Sequence, residues 1–253
     1  MKKIITCIIL LQSLLLHSQN QEGIDANYEL QGYFKNYQTF NLDSLKKKKF
    51  KHIRFINPIE TGGGFEFDRM LDSNLKQAIY TITIEHPLGR YSRYKEYKIH
   101  VFSKQDAIIG LISYEASTGN VNSYFDYEKL SAHIELHNEL YKTKFKISDF
   151  VAQLKERKIY GFSCGYSSIA NAPLVYDDIY FDDIRNGKHF RKWLTSFNPE
   201  LQAYGIYALE RIEEKEKLPL SPLEKKLIKH IKAKNSTMLI CGGCVSFPGK
   251  LYD

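Results

Sequence analysis

Cys241-Gly242-Gly243-Cys244 sets two thiols three residues apart near the C-terminus, a spacing that serves metal binding, redox exchange or a structural bridge. A thioredoxin-type pair follows a strand and opens a helix whose N-terminus lowers the first thiol's pKa. Here the pair follows a helical pattern and only nine residues remain after it. Structural zinc needs four ligands, and no second close pair of Cys or His follows. The residues therefore point to a Cys241–Cys244 disulfide with Cys164 as a free, buried thiol; pairing of Cys164 with either is the competing reading. No metal and no cofactor is expected.

Three other groupings could carry chemistry. Gly161-Phe162-Ser163-Cys164-Gly165 fits the Gly-x-Ser-x-Gly pattern of a nucleophile elbow, with Asp182 and His230 in the right chain order. Cys164 could also act as a nucleophile with His189 or His230 as base. Elbows need alternating strands and helices before them and a helix directly after, and neither pattern is visible, so a hydrolase or thiol enzyme centred on Ser163 or Cys164 is the alternative reading. His133 and His137 share a face if helical; on a strand they lie about 13 Å apart, too far to share an ion. They read as surface histidines. Gly62-Gly63-Gly64 lacks the Gly-Lys-Ser/Thr of a phosphate loop, and the acids Asp177, Asp178, Asp182 and Asp183 fail an EF-hand register because Ile184 falls on its third position.

The ends and the charge say where the chain works. Met1-Lys2-Lys3, an apolar stretch from Ile4 to Leu16 and Ser18 together read as a signal peptide, residues 1–18, which places the protein outside the cytoplasm, periplasmic or secreted. Cys7 would leave with it. No later segment has the roughly 20 apolar residues of a membrane span. The formal charge of +7 falls by two without Lys2 and Lys3. Its densest run, Lys46-Lys47-Lys48-Lys49-Phe50-Lys51, reads as a solvated loop leading into a strand, with no nucleic-acid fold signature beside it.

Alternating apolar residues predict a strand over 50–56, and runs bounded by turn signals predict strands over 79–85, 94–102 and 107–114, with a fourth meander strand over 121–127. Residues 19–48 read as irregular or short-stranded, and 68–77 as helical. After residue 186 the period becomes helical: Phe190, Trp193, Leu194 and Phe197; then Asn198-Pro199 opening a stripe of Leu201, Gly205, Ala208, Leu209 and Ile212; then Ser221-Pro222-Leu223-Glu224 as a capping box. Gly205 on the buried stripe would let a neighbouring backbone approach closely. The expectation is an α+β protein, an antiparallel sheet of four or more strands in a mainly-β unit at 19–185 and about three short helices in 186–253, packed on the same domain.

The tail from Phe197-Asn198-Pro199-Glu200 to Cys241-Gly242-Gly243-Cys244 resembles the C-terminal part of uncharacterised exported proteins of Bacteroidota-type bacteria, over roughly a quarter of the chain. That resemblance implies no activity. With no coherent catalytic constellation, the reading is an exported, non-enzymatic binding or interaction protein whose partner is a protein or a small ligand.

Overall fold

The computed structural model describes residues 28–51, 54–55, 64–88, 91–155, 157–161, 163–164, 167–168, 188–216 and 219–252. The expected leader, residues 61–63 and the acid-rich stretch with Asp182 lie outside the described residues.

Two helices, α1 (residues 28–34) and α2 (Leu42–Lys47), precede the sheet. β1 (Arg54–Phe55) and β2 (Gly64–Met70) both pair with one edge of β3 (Lys76–Leu88). β4 (Tyr91–Lys104), β5 (Ala107–Glu115) and β6 (Val121–Phe125) follow on the other side, every pair antiparallel. The links between them are too short for crossovers, so the sheet is a meander. The strand period of two sorts the side chains. Ile82, Ile84, Tyr97, Ile99, Val101 and Leu111 meet Leu30, Phe34, Phe40 and Leu45 in one core. Phe102, Ile109 and Ile112 join a second core with Leu130 and Ile134 of α3 (Tyr127–Tyr141) and Phe150 and Leu154 of α4 (Ile147–Leu154).

The C-terminal layer is α5 (Lys188–Leu194), α6 (Pro199–Glu216) and α7 (Pro222–Lys234), so the chain is α+β with an antiparallel sheet and a helical layer. Its starts are set by side chains. Asn198 accepts from the Leu201 amide at 3.0 Å, and Ser221 and Glu224 cap each other's amides. From Gln202 to Ile206 every residue of α6 is buried, as a helix enclosed on all sides requires. Phe197, just before it, packs in the α3–α4 core, which ties this layer to the sheet.

Gly205 is where α6 meets α5 most closely. A Cβ there would lie 2.6 Å from the Leu194 amide nitrogen and 2.9 Å from both Leu194 Cα and the Phe190 carbonyl oxygen. In an open helix Gly→Ala stabilises by about 1 kcal/mol; here three backbone atoms block the methyl, and overpacking costs about 1–3 kcal/mol or more. Gly205→Ala is expected to lower the thermal midpoint. An unchanged or raised midpoint would show that the two helices can separate freely.

Three stretches differ from the sequence reading. Residues 68–77 are the end of β2, a turn and the start of β3, because Phe67 and Arg69 point inward in strand alternation, each 5% exposed, while Met70 points out. Residues 28–34 are helical and 42–47 form α2, so the lysine run starts in a helix end with Lys46 and Lys47, and Lys48, Lys49 and Lys51 follow it. The tail beyond α7 is a hairpin, β9 (Met238–Gly242) and β10 (Val245–Gly249), around a two-residue turn. Gly243 takes φ +68° at its first central position, as a type II′ turn requires.

Candidate functional site

The most concentrated polar chemistry lies where the sheet meets the helical layer. The β2–β3 turn holds two consecutive non-glycine residues at positive φ, Ser73 (53°) and Asn74 (57°), closed by the Leu71 amide on the Leu75 carbonyl at 2.7 Å. Such a conformation is uncommon and persists when its surroundings fix it. It delivers the Asp72 carboxylate, 6% exposed, between α3 and α7. His230 Nε2 donates to its Oδ1 at 2.8 Å and Lys234 Nζ at 3.0 Å, while His137 Nδ1 stands 3.6 Å from Oδ2. Burial alone would raise the Asp72 pKa, but these three partners outweigh it and hold the carboxyl far below its ordinary range. Burial lowers the Lys234 pKa, against the pull of Asp72.

His137 is enclosed by rings, Tyr141 stacked at 4.2 Å and Phe197 at 4.0 Å, and its Nε2 donates to the Thr195 carbonyl at 3.0 Å. Gln202 of α6 joins the group, donating to Tyr141 Oη at 3.1 Å and accepting from Lys234 at 3.3 Å. Asp72, His137, Tyr141, Gln202, His230 and Lys234 thus bring the β2–β3 turn, α3, α6 and α7 to one point.

A second polar chain lies under the sheet. Glu200 in the first turn of α6 and Arg69 of β2 form an ion pair at 2.7 Å with side chains only 2% and 3% exposed. Glu200 also accepts the Leu239 amide of β9 at 3.0 Å. Arg69 Nε donates to Gln77 Oε1 at 2.7 Å, and the Gln77 amide meets His100 Nδ1 at 2.9 Å. Burial, aided by the Arg69 cation, pushes the His100 pKa down to about 3, so its Nδ1 lone pair is free to accept.

The cysteines pair differently from the expectation. Cys241 is bonded to Cys164, 77 residues earlier, and not to Cys244, which is free and exposed. The reason is backbone placement. Tyr160 forms a parallel bridge with Ile240, with its amide on the Leu239 carbonyl at 2.7 Å and its carbonyl accepting from Cys241 at 2.9 Å. The segment is held there by the Tyr204 hydroxyl, which contacts Ile159 and Gly161, and Cys164 follows beside β9. Cys244 sits in the hairpin turn, turned to solvent. Cys164 is therefore neither a free thiol nor a nucleophile in this state.

Ser163 and Cys164 form β7, a two-residue strand paired with β8 (Ser167–Ser168), whereas a nucleophile elbow opens a helix. His230 is bound to Asp72, and His189 is exposed with its ring 4.3 Å from that of Trp193, while the Cys164 sulfur that either would have to activate is taken up in the disulfide. His133 and His137 are not surface histidines: each is 1% exposed on the inner face of α3. No group of three or more His, Cys, Asp or Glu among the described residues is placed to hold a metal ion. In the open groove between α3 and the start of α4, Asn138 is occupied by Thr143 and by both backbone groups of Phe145.

A buried carboxylate behind a half-exposed imidazole, as in Asp72–His230, is how a general base is oriented. The ring against His230 is that of Tyr141, whose hydroxyl accepts from Gln202, and the cluster joins four elements at that point. Sequence reasoning reached His230, His133 and His137 but missed Asp72, Arg69, Glu200 and Lys234. The available signal was Arg69 on the inward parity of Phe67.

These histidines make the fold acid-sensitive. His100 and His133 fold with pKa values pushed by burial from 6.5 to about 3 and about 4. The stability tied to their neutral forms is complete above 6.5 and lost as pH falls from there toward those values. Asp72, depressed from an ordinary value of 3.8, loses its contribution only below that value. Between pH 6 and 5 the histidines therefore dominate, at up to about 1.4 kcal/mol per pH unit each. His133→Gln should remove about one histidine's share of that slope in urea unfolding. An unchanged slope would show that His133 is not buried neutral.

Comparison with protein-family models, with curated proteins and with solved structures finds no match to this chain.

Proposed function

We propose that the protein works outside the cytoplasm as a non-enzymatic binding or interaction protein, of the exported kind that its C-terminal tail resembles. The Cys164–Cys241 disulfide carries this reading, because such bridges form and persist in oxidising compartments. It also removes the sulfur on which thiol chemistry would depend. No helix among the described residues is long and apolar enough to cross a membrane, which fits a chain released after export. Most polar groups that could do chemistry are committed inward: Glu200 to Arg69, Asp72 to His230 and Lys234, His137 to Thr195.

The test joins residues 1–20 to a phosphatase that is active only after export and oxidation. Export of active phosphatase supports the reading. A fusion that stays inactive in the cytoplasm, together with a native protein whose three mature-chain thiols are all reduced, contradicts it.

A further inference from the structure

Five lysines lie within six residues at the end of α2 and just after it: Lys46, Lys47, Lys48, Lys49 and Lys51. Buried Leu45 anchors the helix beneath them, and Lys47, Lys48, Lys49 and Lys51 are exposed. None of the five ammonium groups has an ion-pair partner among the described residues. The acids nearby are Asp43, in the first turn of α2, and Glu29, whose carboxylate accepts the Lys51 backbone amide at 3.2 Å. Among the described residues these cations carry no ion pair, Lys48 packing over two rings, and no other stretch of the sequence holds lysines at this density.

Aromatic rings adjoin this patch and continue through buried Phe40. Lys48 Nζ lies 5.2 Å from the ring centre of Tyr33 and 5.4 Å from that of Phe50. Tyr33 touches Phe40 at 6.3 Å, Phe40 touches Tyr80 at 5.6 Å, and Tyr80 touches Phe65 at 5.6 Å. Phe65 is 56% exposed, and Tyr28, next to Glu29, is 75% exposed. Lysines without an ion pair among the described residues, together with the exposed rings of Tyr28 and Phe65, match the headgroup layer of an anionic bilayer, where cations meet lipid phosphates and rings enter the interface. A hydrated polyanion would satisfy the lysines but offer nothing to Phe65 and Tyr28.

We infer that this lysine–aromatic face is a docking surface for an anionic lipid bilayer. The inference rests on the reading of an exported interaction protein and names its partner. Each lysine near such a surface multiplies the partition constant about fivefold, so the four exposed ones together contribute on the order of a hundredfold or more. Attraction of this kind fades as salt shortens the screening length.

The experiment is co-sedimentation of the full processed protein with phosphatidylcholine vesicles, with and without phosphatidylglycerol, at low and high salt. Binding is expected only to the anionic vesicles and only at low salt. It should fall about a hundredfold or more in a Lys47→Ser, Lys48→Ser, Lys49→Ser, Lys51→Ser variant whose thermal midpoint is unchanged, and several-fold in Phe65→Ser. Equal binding to neutral and anionic vesicles overturns the inference. So does binding to inorganic polyphosphate that matches vesicle binding and ignores Phe65→Ser, which would assign the face to a soluble polyanion. Absence of vesicle binding overturns the lipid surface alone, because export is scored separately by the phosphatase fusion.

Discussion

Glu200→Ala is expected to destabilise the protein by about 3–5 kcal/mol, the scale for stranding one member of a buried ion pair. The Arg69 guanidinium would remain 3% exposed with no carboxylate, and the Leu239 amide would lose its acceptor. Losses should spread along the chain, since Arg69 also fixes Gln77, which meets His100. Replacing both partners by apolar residues, Arg69→Met with Glu200→Leu, should recover part of the loss, because no charge is then left buried while the Leu239 amide and Gln77 Oε1 still lack their partners. Urea unfolding midpoints of the three variants decide it. A Glu200→Ala cost near the 0.5 kcal/mol of a surface change would mean that water reaches Arg69.

The second large effect belongs to the disulfide. A bridge spanning 77 residues restricts the unfolded chain by about 4.5 kcal/mol on a loop-entropy account, and measured bridges contribute about 2–4. Cys164→Ser is expected to fall in that range, and Cys241→Ser to match it. Cys244→Ser should be nearly neutral, since its thiol is exposed and unbonded. A Cys244→Ser cost equal to that of Cys241→Ser would point instead to a bond between those two. The local ring expected from Cys-Gly-Gly-Cys would stabilise less, because its loop is only a few residues long.

What was legible in the sequence followed from local physical chemistry. Asn198-Pro199 and Ser221-Pro222-Leu223-Glu224 announce α6 and α7 because capping is read within four residues. The strands of the meander show because short apolar and β-branched runs such as 79–85 and 107–114 are bounded by turn residues, and the sheet is packed on both faces. Gly205 was legible as a close approach because it falls on a buried stripe. Helix α3 was not: His133 and His137 occupy its inner face among Leu130, Ile134 and Tyr141 and break the apolar repeat.

The disulfide and the ion pairs were hidden for a different reason. They join Cys164 to Cys241, Arg69 to Glu200 and Asp72 to Lys234, across separations that only the assembled sheet and helices bring together. No spacing rule reaches so far. Gly242-Gly243 did carry a local signal, a tight hairpin turn, and that turn separates Cys241 from Cys244 rather than joining them.

Non-reducing peptide mapping of protein recovered from its native compartment, with free thiols alkylated first, tests the reading of an exported, cross-linked protein most directly. The expected result is a Cys164–Cys241 linked peptide with Cys244 carrying the alkyl label. A Cys241–Cys244 linked peptide, or alkylation of all three cysteines in the native protein, would contradict it.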